Sequence, residues 1–214
     1  MRPRKLGISL LGTALLVGAC AELTRPPRPE PPTELAGGLV ADPLPAILDA
    51  AVRDFDRAGA GLDGRPQATA LALARLEWMS GEAQPGRRLS SLPQSFIFAL
   101  NAAAEEGRRS VGVAPGATPE ATVPALLTAS RALGRSDEAA ASAALAPPVF
   151  TATGRPVVSR LREPGAFPNA GLAVIAIRDE LVRRDAENRA DRRLTFDNPG
   201  AGVTTFGLGG NTDR

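Results

Sequence analysis

Pro66-Gln67-Ala68-Thr69-Ala70-Leu71-Ala72-Leu73-Ala74-Arg75-Leu76-Glu77-Trp78-Met79 is the stretch on which the fold turns. A proline at a first helical position, followed by strong helix formers and no glycine, predicts a helix from Pro66 to about Met79. Leu71, Leu73, Leu76, Trp78 and Met79 point around the whole circumference, with alanines between them. So little polar surface places this helix in the middle of a bundle, with Trp78 packed against its neighbours.

The flanking segments read as helices that wrap such a centre. Asp42-Pro43 makes a cap followed by a first-turn proline, and Leu44, Ile47, Leu48, Ala51, Val52 and Phe55 fall on one face; Gly59, Gly61 and Gly64 end the segment. Downstream, Ser90 or Ser91 is expected to cap a helix with Pro93 in its first turn. Its stripe is Phe96, Ile97, Leu100, Ala103 and Ala104, with Gly107 as the stop. Thr118-Pro119-Glu120 opens a further helix carrying Val123, Leu126, Leu127 and Leu133, in which Pro124 is expected to kink the first turns or delay the start. A short alanine-rich helix follows Gly134 and stops at Pro147-Pro148. The region from Val149 to Pro168 leaves room for one turn around Val157 to Leu161. Asn169 is expected to cap the last helix, which runs to about Arg189 with Val174, Ile177 and Leu181 on one seam beside Ile175 and Val182. Asp179 with Arg183 and Glu180 with Arg184 are placed as pairs one turn apart. The expectation is an all-α domain over 38–190, an irregular helical bundle or helical-hairpin array of five to seven helices. A glycine-rich tail, 191–214, is expected to be disordered, with Phe196 and Phe206 available for docking.

The ends carry the address. Arg2, Arg4 and Lys5 precede the apolar run Leu6 to Ala19, which is short for a membrane span and has the charged start and small-residue end of a secretory signal. Val17-Gly18-Ala19-Cys20 resembles the lipobox of bacterial lipoproteins. That resemblance implies cleavage of 1–19 and a diacylglycerol on Cys20, which becomes the acylated mature N-terminus. Ala21 stands where aspartate favours inner-membrane retention in enterobacterial lipoproteins, so the resemblance implies a periplasm-facing anchor in the cell envelope, with the outer membrane favoured. Cys20 is the single cysteine and has no intramolecular disulfide partner, which fits a modified thiol. The proline-rich linker 20–37 then reads as a spacer, rising ~3.1 Å per residue where it is extended.

Gly134-Arg135-Ser136-Asp137-Glu138-Ala139, with Leu126 upstream, resembles the turn of a tetratricopeptide repeat. The match is partial: Val123, Ser130 and Ala143 occupy the large aromatic positions, and no second copy occurs at the repeat period. The missing copies favour a generic helical hairpin for the segment.

Composition limits the chemistry. Three of the 25 basic residues lie before Cys20, leaving 22 against 23 acidic ones, and Lys5 is the only lysine. A near-neutral chain without a basic stripe argues against nucleic acid as a partner. With His 0 and Tyr 0, a Ser-His-Asp arrangement, an HExxH zinc site and a tyrosine nucleophile are excluded. No glycine-rich phosphate loop occurs, and neither a catalytic residue, a metal site nor a cofactor is assigned. Carboxylates remain, with Glu77 and Glu82 nearest to a possible cleft. Lytic transglycosylases open their motif with Glu-Ser, and no glutamate here is followed by serine. The arginine doublets Arg87-Arg88, Arg108-Arg109, Arg183-Arg184 and Arg192-Arg193 read either as contacts to anionic polymers or as solvated helix ends paired locally, the second doublet with Glu105-Glu106. The expected role is that of a non-enzymatic lipid-anchored protein that binds a protein partner through residues left unassigned. The alternatives are a degenerate peptidoglycan-acting lyase or hydrolase, and a helical-repeat adaptor of an envelope assembly complex.

Overall fold

The computed structural model describes residues 30–152 and 154–197. Its central element is α3, Pro66–Glu82. From Thr69 to Glu82 every residue but Leu71 is buried, so this helix has no outward face, as its sequence predicted. Around it lie α1 (Thr33–Ala36), α2 (Pro43–Asp54), a 3-10 segment (Asp56–Leu62), α4 (Gln94–Val111), α5 (Pro119–Gly134) and α7 (Val157–Arg162). The short α6 (Glu138–Ala144) packs on α5 and α7, and α8 (Pro168–Asp197) lies against α4, α2 and the 3-10 segment. Among the described residues the only bridge between extended segments is Val113 to Phe150, so the domain is all-α. Every helix expected from sequence is present, the single turn at Val157 to Leu161 included, and α1 and the 3-10 segment bring the described residues to nine helical elements against the five to seven expected.

A helix buried all round must still place its polar side chains, and those on α3 are tied to the helices around it. Arg75 reaches the Leu35 carbonyl of α1 (2.7 Å) and Asp54 of α2, Glu77 meets Arg108 of α4, and Ser80 meets Asn101 of α4 (3.4 Å). Burial pushes the Asp54 carboxyl up, and the Arg75 guanidinium works against it. Ser130 of α5 donates to the Gln67 carbonyl at 3.0 Å. Trp78 is buried beneath Arg88, whose guanidinium carbon sits 5.8 Å from the ring centroid.

Helix starts and stops depart from the sequence expectation where tertiary contacts take over. Asp42 caps α2 as predicted, accepting from Leu44 N–H at 3.3 Å. Neither Ser90 nor Ser91 caps α4, which begins at Gln94 after Pro93 with no side-chain cap. Ser90 donates instead to the Arg87 carbonyl, and the Ser91 carbonyl accepts from Arg184. Gly107 does not end α4: the helix runs on to Val111, and a Cβ at Gly107 would stand 2.8 Å from Leu73 Cδ2, so this glycine serves close approach to α3. Pro124 lies within an unbroken α5. Asn169 lies inside α8, whose first N–H groups are instead met by a distant side chain. Glu106 of α4 accepts from Asn169 Nδ2 and from Ala170 N, both at 3.0 Å. A carboxylate there satisfies orphan donors and favours the positive end of the helix dipole.

Between α2 and α3 the chain turns left-handed at Arg57 (φ 48°) and Ala58 (φ 57°). Non-glycine residues hold that conformation only under constraint, at order 1–3 kcal/mol each. Here the constraint is visible: Phe167 N–H donates to the Ala58 carbonyl at 2.8 Å, and the Phe55 and Phe167 rings meet edge to face at 5.5 Å.

The folded unit begins at Pro32, ahead of the expected Gly38, because Leu35 is fully buried and the α1 carbonyl is held by Arg75. At the other end α8 continues to Asp197, past the expected stop at about Arg189. The expected signal sequence, Cys20, the proline cluster up to Pro29 and the expected glycine-rich tail beyond residue 197, with Phe206, lie outside the described residues, as does the side chain of Phe196.

Candidate functional site

The two carboxylates singled out from sequence are both in the interior. Glu77, 3% exposed, accepts from Arg108 Nε at 2.8 Å and from Nη2 at 2.7 Å, a two-point fork that occupies both oxygens. Arg108 Nη1 also donates to the Ala117 carbonyl at 3.0 Å, joining α4 to the approach of α5. Burial pushes the Glu77 carboxyl up while the Arg108 hydrogen bonds and charge pull it back; the same bonds hold Arg108 further up its own range. Two surface cavities of about 340 Å³ each share Glu105 and Arg108 in their walls. Ser80, Asn101 and Thr118 complete a polar lining in one, and Arg109 and Gly112 belong to the other. Glu77 lines neither: the guanidinium stands between it and the opening. General acid catalysis needs the proton within hydrogen-bond reach of the reacting atom.

Glu82 is likewise engaged. It accepts from Arg88 Nη1 at 3.0 Å and from Arg88 N–H at 3.3 Å, with Arg87 3.9 Å away, and so pins the loop that follows α3.

Within the arginine doublets Arg87, Arg88, Arg108, Arg183 and Arg184 each meet a carboxylate, though not always the one that spacing suggested. Arg87 also reaches Glu120 at 3.2 Å. Arg108 turns to Glu77 rather than to Glu105 or Glu106, because Glu106 is committed to α8. Glu180 takes Arg184 (2.6 Å) as expected, but also takes Arg183 (2.9 Å), and these bonds hold its carboxyl below the usual range. Asp179 pairs with Arg178 at 2.9 Å in place of Arg183, and Arg192 Nε donates to the Asn188 carbonyl.

A second feature of the surface is apolar. On α8 the buried side, Ala170, Ala173, Val174 and Ile177, faces the domain, while Leu172 (73% exposed), Ile175 (42%) and Val182 (60%) line the opposite side. Phe98 of α4, 66% exposed, lies outward on the adjoining helix. Glu106 at the start of α8 and the Ser91 carbonyl at Arg184 set the two helices antiparallel, which brings Phe98 to about the level of Ile177. The sequence reading had placed Ile175 and Val182 beside the seam and had not named Leu172 or Phe98. The signal was present: Phe98 sits on the polar side of its helix, out of step with Phe96, Ile97 and Leu100. Single exposed apolar side chains need no explanation, whereas a run of them along one helix marks an interaction surface.

Comparison with protein-family models, with curated proteins and with solved structures found no match. Among the described residues no helix is long and apolar enough to cross a membrane, and no cluster of three or more acidic or cysteine side chains is placed to hold a metal ion.

Proposed function

We propose that this chain is a lipid-anchored protein of the bacterial cell envelope, attached through Cys20 and facing the periplasm, with the outer membrane as its site. It acts there as a binding or scaffold protein. The observation that carries this reading is the exposed apolar run Leu172, Ile175 and Val182 on α8, set against a core whose carboxylates Glu77 and Glu82 are each gripped by arginine. The anchor rests on the resemblance of Val17-Gly18-Ala19-Cys20 to a lipobox and on the absence of any second cysteine. A diacylglycerol, with or without a further amide-linked chain, supplies the two or more acyl chains that stable attachment requires.

Two measurements test it. Radiolabelled palmitate should enter the wild-type chain and not Cys20→Ser. A photo-crosslinking amino acid at Leu172 in the membrane-bound protein should yield a discrete protein adduct that one on the buried side, at Ala173, does not. Peptidoglycan turnover by the purified protein, abolished by Glu77→Gln or Glu82→Gln, would overturn the reading in favour of an enzyme.

A further inference from the structure

The exposed run on α8 has an internal order that points to its occupant. Leu172, Ile175, Asp179, Val182, Ala186 and Arg189 are separated alternately by three and four residues, the heptad spacing of a helix that packs along a partner helix. All six lie on the side opposite the packed residues, and all are exposed. From Asp185 to Ala190 no side chain is buried, although the helix continues to Asp197. A helical segment of this length is marginal in water unless another surface covers it.

The two charges within the seam select the partner. Asp179 and Arg189 are 61% and 62% exposed, and each is paired only along its own helix, with Arg178 and Asp185 respectively. Two copies of α8 laid side by side in the same direction would set Asp179 against Asp179 and Arg189 against Arg189, which is repulsive. Laid antiparallel about Arg184, the same two helices set Asp179 against Arg189 of the second copy, twice over. Val182 then lies opposite Ala186 of the second copy. In this register Leu172 and Ile175 fall opposite positions 196 and 193 of the second copy, Phe196 and Arg193 in the sequence, so an apolar residue meets the aromatic one at the outer layer and a charge meets Ile175 one layer in. Each copy offers the same patch to the other, which closes the assembly at two. The overlap from Leu172 to the last turn spans about 36 Å.

We propose that the partner of this surface is a second copy of the same chain, bound through an antiparallel α8 pair centred on Arg184. The proposal rests on the binding-protein reading above and narrows it to one occupant.

Sedimentation of the full chain purified in detergent tests it. The wild type should sediment as two chains, and Asp179→Arg and Arg189→Asp should each sediment as one. Mixing the two single variants should restore the pair, because the altered charges are then complementary at both ends. That recovery separates a lost contact from a lost fold, since misfolded chains do not rescue one another. A single-chain wild type, an undiminished dimer in either variant, or a mixture that stays monomeric would overturn the proposal. The binding reading has its own readout: a crosslink from Ile175 to a different protein, with a monomeric wild type, keeps that reading and removes self-pairing. No crosslink to any protein would remove both.

Discussion

Replacing Arg108 by alanine should be the most damaging single change in the polar interior, and its cost should depend on pH. The substitution removes two hydrogen bonds, of 2.8 and 2.7 Å, from a carboxylate that is 3% exposed. Losing one member of a buried ion pair costs about 3–5 kcal/mol because the other charge is stranded. The Arg108 side chain is itself 18% exposed, so water can enter part of the space it vacates, and the lower end, about 3 kcal/mol, is expected near neutral pH. For a domain of this size that lowers Tm by about 6–12 °C. The pH dependence has a definite sign. Glu77 is already raised above its ordinary 4.5 by burial, so the native state holds its proton more firmly than the unfolded state does. Its contribution is fully present below 4.5 and is lost as pH rises through the folded value. Without Arg108 nothing opposes burial and the folded value climbs further. The deficit of Arg108→Ala should therefore be small at pH 4.5 and grow toward neutrality. Urea unfolding followed through the single tryptophan, Trp78, measures it directly. Glu77→Gln, which strands no anion, should cost only about 1–2 kcal/mol at pH 4.5, and that cost should shrink as pH rises through the raised folded value of Glu77. A loss below about 1 kcal/mol for Arg108→Ala, or one that is the same at both pH values, would refute the reasoning.

Two further outcomes are expected. Gly171→Ala should destabilise by about 1 kcal/mol although alanine is the better helix former, because its Cβ would stand 2.9 Å from the Phe55 carbonyl oxygen, a backbone atom that cannot step aside; a raised melting temperature would show that the contact relaxes. Glu106→Ala should cost about 1 kcal/mol and speed amide exchange at the start of α8, where Glu106 accepts from Asn169 and Ala170; unchanged protection there would mean that water caps the helix equally well.

Elements defined by their own periodicity were legible in the sequence, and those defined by a remote contact were not. The all-round apolar character of Pro66–Met79 revealed a central helix, and Asp42-Pro43 marked the start of α2. The segment Thr33–Ala36 escaped because its reason to be helical is Leu35 in the core and Arg75 forty residues away, neither of which leaves a local pattern. Gly107 and Asn169 carry stop and cap signals, yet one sits mid-helix facing Leu73 and the other gives the cap to Glu106. Of the candidate site, Glu77 was singled out as a carboxylate near a possible cleft, yet it lies in the interior and lines neither cavity, and nothing near Arg108 in the chain discloses that the two would meet. Local acids stood closer in sequence, and the crossing of α3 and α4 decided between them. The outward run on α8 was half visible, since Ile175 and Val182 lie off the packed seam, and Leu172 completes it three residues earlier.

The lack of any outward side on α3 bears on how this chain can change over time. Most helices drift freely along one flank, where a polar residue can be exchanged for another at little cost. Between Thr69 and Glu82 that freedom is missing, and the alanines there are as confined as the leucines, since an added methylene has nowhere to go. Saturation mutagenesis should therefore find an unbroken intolerant block across this helix, where an ordinary amphipathic helix gives an alternating pattern, and the surfaces of α4 and α8 should absorb most of the variation.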